Sequence, residues 1–215
     1  GYVYMIGTGI LHMAYFLLLA RAYEHGEMSV VYPVARGSGI GVTAVCGWLF
    51  LQETITGTGA IGIGLVCIGI LSLGGGVTRQ SEQAKKGFRS ALGVGFTIVA
   101  YSLVDKVGVS VVDPILYIWT MFLITALAVW PLVVSRHGGQ LREVLGTSRR
   151  MVAIIGIGMA GTYLIILFAF TMGPVGYIVA LREFAVVVGA LLGVAYLKEQ
   201  LTAGKITAIV AITVG

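Results

Sequence analysis

Apolar residues fall in long continuous runs, at roughly 2–22, 29–51, 57–76, 88–108, 114–134, 151–171, 175–197 and 203–215. Most of these approach the roughly 20 residues that carry an α-helix across about 30 Å of hydrocarbon. The pattern therefore predicts seven full membrane-spanning helices and part of an eighth. No ten-residue stretch alternates polar with apolar positions, which excludes a membrane β-barrel. Glycines sit inside the runs, as at Gly57, Gly59, Gly62, Gly64 and Gly69, and again at Gly156, Gly158 and Gly161. Small residues so spaced let helices approach closely in lipid, where burying apolar surface gains little.

The second run is interrupted near its start by Arg36. A charge inside the membrane costs several kcal/mol, so it is a functional candidate by default. The same arrangement returns later in the chain. A shift of 146 pairs Arg36 with Arg182, Gly47 with Gly193, Leu51 with Leu197, Glu53 with Glu199, Thr56 with Thr202 and Gly69 with Gly215. After a one-residue slip, Gly26 pairs with Gly173 and Tyr23 with Phe170. So many matches on a nearly fixed offset make an internal repeat.

Composition narrows the class. Hydrophobic residues make up 58% and charged residues 11% of the chain, against roughly a quarter charged in soluble domains. Such a chain is expected to be an integral membrane protein. The net charge of +5 does not indicate nucleic-acid binding, because the basic residues are sparse and lie between apolar runs. Cys46 and Cys67 lie within apolar runs without metal-ligand spacing and read as packing residues. No metal or cofactor is expected.

Charge also gives a sidedness. The connections after the first, third, fifth and seventh runs hold Arg21, Arg79, Lys85, Lys86, Arg89, Arg136, Arg142, Arg149, Arg150, Lys198 and Lys205, whereas the other side holds only Lys106 with Glu53, Asp105 and Asp113. The positive-inside rule places the basic connections, including 79–89 and 136–150, in the cytoplasm, for a multi-pass protein of the cell inner (plasma) membrane. Glu53 and its mate Glu199 then lie on opposite sides, separated by five crossings, so the two copies run in opposite senses. The expected fold is all-α integral membrane, a multi-pass helical bundle of two inverted five-helix repeats. Residues 1–76 would be the last three helices of the first repeat, 77–87 a basic inter-repeat loop, and 88–215 the second repeat with its last helix incomplete. With repeats of equal length, the first would start about 60 residues before Gly1. Ten helices are expected in the intact protein and about eight here.

Several of these blocks resemble a known family. Val-Tyr-Pro-Val-Ala-Arg-Gly at 31–37, Gly47-Trp48-Leu49-Phe50-Leu51-Gln52-Glu53, Thr56 and the Gly-rich run after it are similar to an EamA-type repeat of the drug/metabolite transporter superfamily. Leu181-Arg182-Glu183, Gly189-Ala190-Leu191-Leu192-Gly193 and Leu197-Lys198-Glu199-Gln200-Leu201-Thr202 are similar again. Most members carry Gly before the repeat-ending Glu, where this chain has Gln52 and Lys198. The resemblance implies a five-plus-five inverted-repeat carrier of small metabolites working by alternating access. It does not imply a substrate.

The candidate substrate-binding or gating residues are Arg36, Arg182, Glu183, Tyr32, Tyr101, Asp105, His12 and Tyr15. Each Arg either handles substrate or gate, or snorkels to an interface. Arg182 and Glu183 point about 100° apart on a helix and need not pair, so Glu183 is expected to face Lys106 or one of the helices expected before Gly1. Its repeat mate is Gly37, an inequality where coupling-ion or substrate chemistry could reside. Tyr101 and Asp105 share a face at i, i+4, with a solvated helix end as the plainer reading of Asp105. His12 and Tyr15 share a face of the first run; His12 either bonds a backbone carbonyl or exchanges protons. Tyr32 lies one turn before Arg36, where stacking on substrate and simple packing are equally open. Glu53 and Glu199 read as structural, each close before Thr56 or Thr202, with the carboxylate meeting the positive end of the following helix.

Gly57-Thr58-Gly59-Ala60-Ile61-Gly62 matches G-x-G-x-x-G, with Glu82 twenty residues on from Gly62. It follows a membrane run rather than a short strand, so a dinucleotide site is excluded. No Walker motif, H-E-x-x-H or nucleophile elbow appears, and no catalytic residue is expected. The function expected is a secondary transporter driven by a proton gradient or exchange. An intramembrane enzyme or a non-transporting membrane regulatory protein is the alternative. The partners expected are the bilayer, an anionic or zwitterionic small molecule and, as an option, a second copy of the chain.

Overall fold

In a computed structural model of the protein, residues 1–25, 28–73, 82–185, 187–188 and 203–215 are described, with backbone alone at 28–30, 32–33, 73, 82–84 and 203–205. Among the described residues there are only helices and their connections. They are α1 (Tyr2–His25), α2 (Met28–Phe50), α3 (Gly57–Leu73), α4 (Glu82–Val111), α5 (Pro114–Met172), α6 (Val175–Arg182) and α7 (Ala203–Val214). Tyr2–His25, Lys85–Val111 and Pro114–Met172 are long and apolar enough to cross a membrane, and Val34–Phe50 and Gly57–Ser72 are shorter apolar helices.

Two expected boundaries move. α4 starts at Glu82, before the apolar run, because Glu82, Gln83, Ala84, Lys85 and Lys86 are good helix formers and extend the helix. The connection expected at 136–150 is helical as well. α5 runs through it and is broken at His137 (φ −133°, ψ 21°) and Ser148 (φ −126°, ψ 24°). The intervening Gln140, Leu141, Arg142, Glu143, Val144 and Leu145 favour helix and include no proline.

The chain forms two compact units. The first takes in Gly1–Ala14 and Val104–Met172, the second Tyr15–Leu103 and Gly173–Gly215. In the first, the opening half of α5 exposes Leu116, Trp119, Leu123, Leu127 and Trp130 while Tyr117, Ile118, Met121 and Thr125 are buried. The exposed residues recur every three or four positions, an apolar stripe suited to lipid. On the buried side, Thr125 donates to the Gly9 carbonyl of α1 at 3.2 Å.

In the second unit α2 packs on α3 and α6, and α3 on α7. A Cβ on Gly69 would lie 2.9 Å from Ile212 and 3.0 Å from the Ala208 carbonyl, so glycine sets how closely α3 and α7 approach.

The connection 51–56 is tied down at three points. Thr56 Oγ1 accepts the Gly59 N–H at 3.1 Å, capping α3 as the sequence suggests. The Thr56 N–H donates to the Tyr177 hydroxyl of α6 at 2.8 Å. Glu53 does not cap α3. Its Oε1 and Oε2 lie 3.0 and 2.8 Å from the Val175 N–H, at the first turn of α6. The expected chemistry, a carboxylate at the positive end of a helix, is present on a different helix. Gly47 makes room for it: a Cβ there would lie 2.8 Å from Val175 Cγ1 and 2.9 Å from Glu53 Oε2. The second-copy counterparts Gly193, Glu199 and Thr202 lie outside the described residues.

Candidate functional site

The candidate side chains fall into two groups, one in each unit. In the second unit, Arg36 Nη1 of α2 donates to Glu183 Oε1 at 3.0 Å. Glu183 follows α6 and is 1% exposed, so its charge is matched inside the protein. Arg36 was not among the partners expected for it. In the first unit, Lys106 Nζ donates to the Phe170 carbonyl near the end of α5.

Arg182 stands beside this ion pair and hydrogen-bonds Tyr101. Its Nη1 is buried and has no hydrogen-bond acceptor among the described residues. Tyr101 is itself buried, and Tyr15 packs edge-on against it with ring centroids 5.8 Å apart. Arg36, Arg182, Glu183, Tyr101 and Tyr15 thus form one electrostatic neighbourhood built from α1, α2, α4 and the end of α6. With one carboxylate against two guanidiniums, the group carries a formal charge of +1. Tyr32 lies on α2, but its side chain is outside the described residues.

The first unit holds the other two candidates. Asp105 is not a solvated helix end; it is fully buried, at 0% exposure. Tyr117 donates to its Oδ1 at 2.9 Å, and Tyr163 donates to Oδ2. His12 is buried, places Nδ1 2.9 Å from the Thr8 carbonyl and meets Tyr163 edge-on. The i, i+4 and i, i+3 relations read from sequence hold on α4 and α1, but each pair divides its contacts. Tyr101 and Tyr15 join the arginines, while Asp105 and His12 join Tyr117 and Tyr163.

The reading from sequence missed Tyr117, Tyr163 and Thr8 around Asp105, and Tyr177 beside Thr56. A usable signal was present for the tyrosines, because a phenol inside a membrane run needs a hydrogen-bond partner. Among the described residues no cluster of His, Cys, Asp and Glu is suited to a metal.

A family model described as EamA-like transporter family matches residues 85–215, more than half of the chain. The chain belongs to the EamA-like transporter family. A second model, Small Multidrug Resistance protein, matches residues 2–66, and both families fall within the drug/metabolite-related transporter superfamily. No curated protein matches the sequence. The family membership and the apolar helices indicate a multi-pass membrane transporter.

Proposed function

We propose that this EamA-like chain is a secondary transporter that moves an anionic or zwitterionic metabolite by alternating access of two inverted repeats. The observation that carries the reading is Arg182 Nη1, buried without an acceptor among the described residues beside the Arg36–Glu183 ion pair. Any acceptor oxygen could take that N–H, and a carboxylate or phosphate also matches the charge and the planar donors of the guanidinium. Tyr15 and Tyr101 supply aromatic surface and hydroxyls beside that position.

The inverted arrangement rests on the 146-residue offset and the odd number of crossings between its marker residues. The two family matches, 2–66 and 85–215, also occupy separate stretches of the chain. Energy would come from a proton gradient or exchange, in keeping with the lack of a Walker motif in the sequence.

The test is thermal stabilisation of the detergent-solubilised protein against amino acids, sugars, nucleotide sugars and organic cations. A ligand at a hundred times its dissociation constant stabilises the folded state by about 2.7 kcal/mol. An anionic or zwitterionic class should raise the midpoint, and Arg182→Ala should abolish that rise. In proteoliposomes, flux of that compound should fall to background in Arg36→Ala and Arg182→Ala, with the compound recovered chemically unchanged. Normal flux in both variants would overturn the site, and a chemically altered product would favour an enzyme.

A further inference from the structure

The group around Asp105 differs chemically from the arginine site. Asp105 lies on α4, four residues after Tyr101, with both carboxylate oxygens hydrogen-bonded inside the protein. The groups facing it come from each neighbouring element. α1 brings the His12 ring and the Thr8 hydroxyl, which also reaches the carboxylate. α5 brings Tyr117 from its start and Tyr163 from its second half. On α4 itself, the ammonium of Lys106 is directed to the Phe170 carbonyl.

His12 Nδ1 lies 2.9 Å from the Thr8 carbonyl and 3.1 Å from the Thr8 hydroxyl oxygen, so Thr8 holds that edge of the ring in place. Tyr117 lies 2.9 Å from Asp105 Oδ1 and 3.4 Å from the Tyr4 carbonyl, so its single hydrogen goes to the carboxylate.

Charge decides what the group can do. With Asp105 ionised and His12 neutral, the pair carries one negative charge inside an apolar unit, an expensive state in a membrane. One added proton, on a carboxylate oxygen or on the His12 ring, makes the pair neutral. The Tyr117 and Tyr163 hydroxyls can donate to the carboxylate, and a hydroxyl can also accept from the acid form, so the same partners serve both states.

We propose that Asp105 and His12 form a buried proton-binding site that, given the transport reading above, supplies the coupling ion. Loading adds one proton and takes the pair from a charge of minus one to zero, and release reverses it. Tyr117, Tyr163 and Thr8 position the carboxylate. No redox step or co-reactant is involved.

Infrared difference spectroscopy of the protein in liposomes, without substrate, tests the site directly. A protonated-carboxyl band should grow as pH is lowered and shrink again as it is raised. The band should be absent in Asp105→Asn, with helix content checked by circular dichroism. His12→Gln and Tyr163→Phe keep the carboxyl and should each displace the midpoint of its titration.

Absence of any Asp105-dependent change at every pH where helix content is retained would overturn the proposal. So would an unmoved midpoint in both neighbouring variants, or a carboxylate band that answers to sodium but not to pH. Because the readout uses no substrate, it separates the two readings. Titration of Asp105 with no ligand stabilisation leaves the proton site standing and removes the carrier reading; stabilisation without titration does the reverse.

Discussion

Glu183 follows Arg182 in the chain but gives its charge to Arg36, 147 residues away. Arg36 and Arg182 match at an offset of 146, so the Arg36–Glu183 contact falls one residue beyond the sequence counterpart of Arg36. Taking away one member of such a pair leaves the other charge uncompensated, at a cost of about 3 kcal/mol. Glu183→Gln should therefore lower the thermal midpoint in detergent clearly, while the double variant Arg36→Met with Glu183→Leu should recover most of the loss. An equal loss in both would show that the ion pair is not what holds this region.

A second residue-scale effect lies at Gln52, whose φ of 53° is in the left-handed region. That conformation strains a side chain with a Cβ, and it explains why the family pattern favours glycine there. The side chain is exposed, so nothing is lost by removing it. Gln52→Gly should stabilise by about 0.5–1 kcal/mol, read as a higher thermal midpoint.

At the scale of elements, helix content was legible because length and hydropathy decide it locally. The Thr56 cap was legible for the same reason: its acceptor and donor are three residues apart. The target of Glu53 was not, since the Val175 N–H is 122 residues away and becomes available only where α6 starts beside the end of α2. Helicity across 136–150 was hidden because loop charge was read for sidedness without weighing the helix propensity of Gln140 to Leu145.

Close approach of α3 and α7 at Gly69 can be tested by bulk. Gly69→Val should cost about 1–3 kcal/mol through overpacking against Ile212 and the Ala208 carbonyl. Gly64, on the same helix with open space at its Cβ, should accept Ala with little change in the midpoint.

On the scale of the whole molecule, the sequence separated basic from sparse connections, and that gives an orientation to test. In a background with Cys46 and Cys67 replaced by Ala, a membrane-impermeant maleimide should label Arg142→Cys from the cytoplasmic face and Ser110→Cys from the opposite face. Labelling of both from one face would overturn the sidedness. The candidate site was partly legible at this scale. Charged residues inside apolar runs identified Arg36, Arg182, Glu183 and Asp105 as residues needing partners, but their division into two groups depends on helix packing that no offset records.

The bond between Glu53 and the start of α6 has a consequence for motion. It fastens the connection after α2 to the segment entering α6, so parting those ends breaks the contact to the Val175 N–H. Losing a charge-assisted cap of this kind costs about 2 kcal/mol. With nothing else changed, conformations in which those ends have parted are then populated roughly thirtyfold less than the joined one. Glu53 thus sets a cost on separating the end of α2 from the start of α6.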